Sequence, residues 1–371
     1  MQRILLTYQW LGDFNYAKAK IFDGFESLII YENYGKCNTF ELDVPFSFEN
    51  NSIFKPENVF KFDGVYYYVD DVSGTSDKLK VCGKSLAGKY DSRIIDRTYI
   101  ASKSPALIAW DHINQEIINP GNYSDINGSY NGADRKIDYL TLSIASDLGL
   151  QSIDYQNSYG EVKKQVETLC ETYNFGFKEV GAKGVVSNQI QFFKGRDVSK
   201  WVVFSDDSDG YENLNEVEFE HSTFDKKTVA YAFGEGEGSD RKKIVLNPTI
   251  KGLSRRELYV DARDLQSSDG TTTIPSATYN NMLKDRANQS LADKKEVITL
   301  NGDFVLTSKL VQFGRDFFVG DTVRLTSKRY GAAKTAVISQ AKKTYNDKGE
   351  YLELIYDKET PTIFDILGRN K

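Results

Sequence analysis

Residues 206–210 read DDSDG and set Asp206, Asp207 and Asp209 beside Gly210. Hard cations such as calcium take several carboxylate oxygens, so the run could hold one weakly. The closing glutamate of a full calcium loop is missing and Glu212 is mis-spaced, which favours a solvated acidic loop. The two histidines, His112 and His221, have no cysteine or carboxylate at zinc-site spacing. In the helical pattern around it, His112 falls on the polar side. No GxSxG nucleophile motif is present. Gly83-Lys84-Ser85 lacks the upstream glycine of a phosphate-binding loop, because position 78 is Lys78. GEGEG at 234–238 offers two glutamates where a phosphate cradle needs amides and a helix start. It reads as a flexible turn. These residues point to no cofactor and no catalysis.

The strand-like run RRELYVDARD, 255–264, carries the densest mixed charge. Side chains on a strand alternate between faces. Arg255, Glu257, Tyr259, Asp261 and Arg263 therefore share one side, and Arg256, Leu258, Val260, Ala262 and Asp264 the other. The arginines would keep Glu257 and Asp261 ionised, which suits ion pairing and not general-acid work. Such a face could form an intersubunit network through bidentate Arg–carboxylate bonds. It could equally be a solvated face whose pairs contribute about 0–1 kcal/mol each. Tyr66, Tyr67 and Tyr68 could stack on sugars, but alternation sets Tyr67 against its neighbours, as in any two-faced core strand.

The elements that would position these residues are mostly strands. The chain has 371 residues, enough for two to four domains, and 13% aromatic residues, with 23 Tyr, 22 Phe and only 2 Met. A net charge of −6 argues against a nucleic-acid-binding surface. Three cysteines without a CxxC pair fit folding in a reducing cytoplasm. No apolar leader opens the chain, and no run approaches the roughly 18 residues of a membrane span.

Segments 25–34, 38–46, 58–70 and 78–82 read as strands, with turns at Tyr34-Gly35, Asp63-Gly64 and Ser73-Gly74. A helix follows Ser104 as cap and Pro105 at its first position, with Ala106, Trp110, Ile113 and Ile117 on one face. Residues 121–136 read as an exposed loop. A second helix is expected from Ser158, with Glu161 completing a capping box and Val162, Val166, Leu169, Cys170 and Tyr173 as its stripe. A third, about 276–296, repeats Tyr279, Leu283, Ala287 and Leu291. Strands return over 297–358, with turns at Asn301-Gly302, Gly320-Asp321 and Asp347-Lys348-Gly349. The expected fold class is α+β and mainly β. The expected division is 1–100 as a barrel-like domain completed by later strands, 101–205 as an α/β insert, 206–300 as a β segment with a helix forming the second ring domain, and 301–371 as strands closing a barrel.

Three patches in order carry a resemblance. SKWVVFSDDSDGYENLNEVEFEHSTFDKKTVAYAFGEGEG, KGLSRRELYVDARDL and FGRDFFVGDTVRLTSKRYGAAKTAVISQAKKTYNDKGEYLELIYD together resemble the tail-hub proteins of long-tailed phages. That family is similar to the N-terminal structural part of tail-associated lysins and, more distantly, to the baseplate hub of contractile phages. GKSLAGKYDSRII is the best local fit in the first hundred residues. The resemblance implies a multi-domain hub with two barrel-like tube domains and α/β inserts interleaved along the chain. It implies a homotrimeric ring at the virion tail tip, made in the bacterial host cytoplasm and docked on the distal tail protein. The tape-measure protein and receptor-binding or fibre components would be neighbours, and DNA would pass without specific binding. The chain ends soon after its last strand, which implies a hub without a lysin domain. The resemblance also favours the interface reading of Arg255, Arg256, Glu257, Asp261, Arg263 and Asp264. A cell-wall hydrolase and a carbohydrate-binding receptor protein are the competing readings.

Overall fold

The computed structural model describes residues 4–12, 19–206, 213–268, 273–304, 311–330 and 332–356. The first strands are β1 (Leu5–Tyr8), β2 (Lys20–Phe22), β3 (Ser27–Asn33), β4 (Thr39–Pro45), β5 (Val59–Phe62), β6 (Val65–Gly74) and β7 (Lys78–Ser85), with the short helix α1 (Phe48–Ile53) after β4. A mixed layer follows: β8 (Ile94–Lys103), α2 (Pro105–Ile113), β9 (Tyr123–Asp125), β10 (Gly128–Tyr130), β11 (Leu140–Leu142), β12 (Ile153–Glu161), α3 (Val162–Tyr173), β13 (Gly176–Gly181) and β14 (Asn188–Phe193). Then come β15 (Val203–Ser205), β16 (Leu214–Ser222), β17 (Val229–Phe233), β18 (Lys243–Leu246), β19 (Glu257–Asp261) and α4 (Ser276–Ala292). The last strands are β20 (Val297–Phe304), β21 (Thr322–Ser327), β22 (Ala332–Asn346) and β23 (Gly349–Tyr356). The chain is α+β and mainly β, as its strand-rich composition implies.

The largest sheet runs β16-β20-β23-β22-β3-β4-β7-β6-β5-β1-β2, with β21 joining β22 and β15 joining β21. The key ladder is β22 against β3, where Gln340 pairs with Asn33 and Asn346 with Ser27. It hydrogen-bonds the end of the chain to its beginning. Two apolar centres lie along this sheet. One gathers Leu28, Phe40, Leu42, Phe60, Tyr67 and Val81, and the other gathers Phe204, Phe317, Leu325, Ile338, Leu354 and Tyr356. A third holds the mixed layer, where Tyr66, Tyr68, Val166, Leu169 and Phe177 meet.

Local sequence explains many elements. Asp63 and Gly64 both adopt positive φ, 47° and 82°, and close the β5–β6 hairpin. Tyr66 and Tyr68 enter one centre and Tyr67 the other, so β6 is buried on both faces. Gly83 stands where a Cβ would lie 2.0 Å from the Tyr68 carbonyl oxygen and 2.8 Å from Phe40. Gly83→Ala is expected to lower stability by about 1–3 kcal/mol, read as a shifted urea midpoint, through overpacking at this contact.

Several expected boundaries move. Ser158 lies inside β12 and no capping box forms, because 153–161 pairs with β8 down to Glu161 against Ile94. The strand ladder satisfies more backbone groups than one cap would. Ser104 precedes α2, but its hydroxyl donates to the Asp147 carbonyl at 2.8 Å instead of capping. Asn301 and Gly302 turn nothing: they sit within β20, paired to Glu218 and Leu354. Ser73 and Gly74 end β6, and the reversal comes at 75–77. Residues 123–130 of the expected loop form a small hairpin. His112 is buried, not on a polar side, since α2 is packed on its flank by Tyr99 and Tyr155.

Candidate functional site: the charged face of β19

β19 owes its exposure pattern to α4. β17 pairs antiparallel with β18 and parallel with β19, and α4 packs across this small sheet. Val260 and Ala262 face α4 with Tyr279, Leu283 and Ala287, so their neighbours on β19 point outward. The outward face carries Glu257, Tyr259 and Asp261, as alternation requires.

Parallel pairing brings in residues that the sequence analysis did not single out. Tyr231 of β17 stands opposite Tyr259 in register, and Phe233 opposite Asp261. Phe233 and Tyr259 stack at 5.2 Å between centroids. The Arg255 guanidinium donates to Glu257 at 2.6 Å and to the Tyr231 hydroxyl at 2.6 Å. Arg241 donates to Asp261 at 3.0 Å and to Tyr259 at 3.3 Å. Arg263 closes on the same Asp261 at 2.5–3.0 Å. Arg255 holds Glu257 below the ordinary carboxylate range, and Arg263 does the same for Asp261. Neither is poised to give up or take a proton near neutrality.

The other candidates are also engaged within the chain. Asp264 receives a bidentate pair from Arg286 of α4 at 2.8 and 2.9 Å. Arg256 reaches back to the Thr223 carbonyl. Glu235 of the GEGEG turn accepts from Lys242 at 2.5 Å and from the Ser267 amide at 2.8 Å, which ties that turn down. Asp206 accepts from the Ser327 hydroxyl at 2.5 Å and the Lys328 amide at 3.0 Å. Asp207 and Asp209 lie outside the described residues. Among the described residues no three acidic, histidine or cysteine side chains converge as a metal site would require. His221 pairs with Glu296, which also meets Lys226.

What remains is a surface: stacked aromatics, three arginines and two carboxylates, with Glu257, Tyr259 and Asp261 exposed. A sequence model of the Siphovirus ReqiPepy6 Gp37-like proteins matches residues 10–356. The chain belongs to that family. No curated protein matches it in sequence. Three solved tail proteins share its fold. The prophage tail protein gp18 of Listeria monocytogenes is 13% identical over 99% of this chain and 98% of its own, at a TM-score of 0.55. A tail protein of Neisseria meningitidis is 13% identical over 97% of both chains, at 0.56. The 43 kDa tail protein of prophage MuSo2 from Shewanella oneidensis is 11% identical over 96% and 97%, at 0.52. The chain thus belongs to a siphovirus family and has the fold of these three phage tail proteins. Among the described residues no helix is long and apolar enough to cross a membrane.

Proposed function

We propose that this chain is the tail-tip hub of a siphophage: three copies close a ring that docks on the distal tail protein and closes or guides the tail tube for DNA passage. The observation that carries the reading is the fold shared with three phage tail proteins along nearly the whole chain, with two apolar centres strung on one sheet by β22. In this reading residues 1–100 form one ring domain, 206–300 the second, 101–205 the insert, and the strands β21 to β23 close a barrel. A closed ring needs heterologous contacts, in which one patch meets a different patch on the next copy. The β19 face suits one side of that contact. Exposed Tyr and Arg dominate binding energy at interfaces, and Tyr259 is 60% exposed beside Arg241 and Arg263. The tape-measure protein and fibre components are its neighbours in this reading. The β19 face is not built for catalysis in this reading, since its arginines hold Glu257 and Asp261 ionised, and Tyr66, Tyr67 and Tyr68 are buried and offer no sugar platform.

Light scattering on a sizing column tests the ring. The expected species has three times the 42.0 kDa chain mass, alone or with the distal tail protein added. Tyr259→Ala and Arg241→Glu are each expected to weaken assembly about 30-fold, the effect of losing roughly 2 kcal/mol at an interface hot spot. A monomer that persists with the distal tail protein present refutes the ring.

A further inference from the structure

A cleft of about 470 Å³ opens where the ends of α3 and α4 meet the start of β17 and the turn after β18. Small-molecule sites occupy about 300–1,000 Å³, and this volume falls among them. None of the residues lining it belongs to the charged face of β19. Local structure fixes its walls. The Lys227 amide donates to the Lys294 carbonyl at 2.8 Å, which ties the start of β17 to the segment after α4 and brings Lys227 and Lys295 to one cleft. Asn247 follows β18 with φ of 56°, a left-handed conformation that asparagine tolerates. Its side-chain amide donates to the Thr228 carbonyl at 3.0 Å and holds the turn in place. Ile250 and Leu291 supply an apolar wall.

The lysines here fall into two sets. Lys226 is matched by Glu296, and Lys294 by Asp225 at 2.5 Å. Lys227 and Lys295 are left over: among the described residues neither has a carboxylate at ion-pair distance. Asp293 attracts Lys295 but shares its charge with Lys294 and Lys164. Lys227 is half-buried, which takes water from its side chain without supplying an acid. In the wall formed by α3, the Thr172 hydroxyl is buried with no hydrogen-bond partner among the described residues.

Opposing these cations are the C-terminal ends of α3 and α4, whose last carbonyls carry about half a negative charge per helix. Two ammonium groups outweigh them, so the cleft favours an anion. The carbonyls and the side-chain amides of Asn247 and Asn288 suit hydroxyl groups. A bare inorganic anion would engage the lysines and leave the carbonyls and the apolar wall unmatched. We propose that this cleft binds a phosphorylated sugar or polyol, with its phosphate on Lys227 and Lys295 and its hydroxyls on Asn247, Asn288 and the helix-end carbonyls. The proposal goes beyond the hub reading and does not depend on the ring.

The experiment uses the full-length protein in whatever assembly state it holds. Calorimetric titration with glycerol 3-phosphate and with glucose 6-phosphate is expected to show saturable binding at millimolar concentration or below. Glycerol and glucose are expected to give none. Inorganic phosphate is expected to bind about ten-fold more weakly, having lost the hydroxyl contacts. Lys227→Ala and Lys295→Ala are each expected to weaken binding about ten-fold or more, the loss of one charged hydrogen bond, with thermal melts like the native protein's. Lys348→Ala, in the β22–β23 turn, is expected to change nothing. Asn288→Trp, at an exposed position of α4, fills the cleft while both lysines stay, and is expected to abolish binding. It carries the test if a lysine variant fails to fold. A short glycerol phosphate oligomer separates the two sources of such a ligand: tighter binding per phosphate than the monomer assigns a polymer, and equal binding a free metabolite. The absence of saturable binding overturns the proposal. So does inorganic phosphate that binds as tightly as the esters, or a folded lysine variant that binds like the native protein.

Discussion

Glu179→Ala is expected to cost about 3–5 kcal/mol of folding stability, because it strands a set of buried donors around an emptied site. Glu179 on β13 is buried where β6, β7, β13 and β14 meet. One carboxylate oxygen accepts from the Ser85 hydroxyl. The other accepts from the Ala87 amide at 2.9 Å and from the Asn188 side-chain amide at 2.6 Å. Asn188 in turn bonds both backbone groups of Tyr66, at 3.0 and 2.9 Å. The node thereby holds the mixed layer to the large sheet. Glu179→Gln keeps a carbonyl oxygen for part of the set, and its expected cost is about 1–2 kcal/mol.

The two variants also separate charge from hydrogen bonding. Burial pushes the Glu179 carboxyl above its ordinary 4.5, against the pull of its three hydrogen bonds. The native state then binds this proton more tightly than the unfolded chain does. The associated stability is fully present below pH 4.5 and is lost as the pH rises through the raised native value. Urea melts of the native protein and Glu179→Gln at pH 4 and pH 7 are expected to show the native protein losing ground to the variant at the higher pH. A difference independent of pH means that the carboxyl does not titrate in this range.

Much of the fold was legible because local chemistry and final packing agree. Asp63-Gly64 closes its hairpin, and the four-residue repeat of Tyr279, Leu283 and Ala287 faces β17. The alternation in 255–264 survives because α4 covers one side of β19. Where long-range pairing decides, local signals mislead. Ser158 and Glu161 form a sound capping signature on their own, but β8 recruits them into a ladder. Asn301-Gly302 reads as a turn, yet β16 and β23 pair across it. Nothing near Ser27 announces that Asn346 will be its partner. The β19 face was legible only on its own strand. Tyr231, Phe233 and Arg241 join it through the parallel pairing and the β17–β18 turn, which no spacing within one strand encodes. The Glu179 node is silent in sequence for the same reason, since its donors come from two distant segments, Ser85 with Ala87 and Asn188.

Lowering the pH from 6.5 to 4 is expected to cost the protein about 3 kcal/mol through His112 alone, the energy of a shift of about two and a half pKa units. The ring is 1% exposed, and among the described residues neither Nδ1 nor Nε2 has a hydrogen-bond partner. Tyr99 and Tyr155 pack on it at 4.7 and 5.9 Å between centroids. Burial pulls its pKa from 6.5 to about 4; Asp111 opposes that fall and Arg97 adds to it. The native state therefore binds this proton less readily than the unfolded chain. The stability is fully present above pH 6.5 and is lost as the pH falls toward 4. Glu116, one turn on and paired with Arg97 at 2.7 Å and Arg135 at 3.0 Å, has its pKa raised by burial and contributes the opposite slope. A comparison with His112→Phe cancels that term, because the variant keeps Glu116 and the ring packing. The variant is expected to match or exceed the native protein at pH 7.5 and to be the more stable by about 3 kcal/mol at pH 4. Parallel stability curves for the two proteins would assign the acid response elsewhere. Hydrogen exchange at pH 4 locates the effect: protection is expected to fall first in α2, α3 and the β8–β12 ribbon, while β22 and β3, whose buried residues belong to the other two apolar centres, keep theirs.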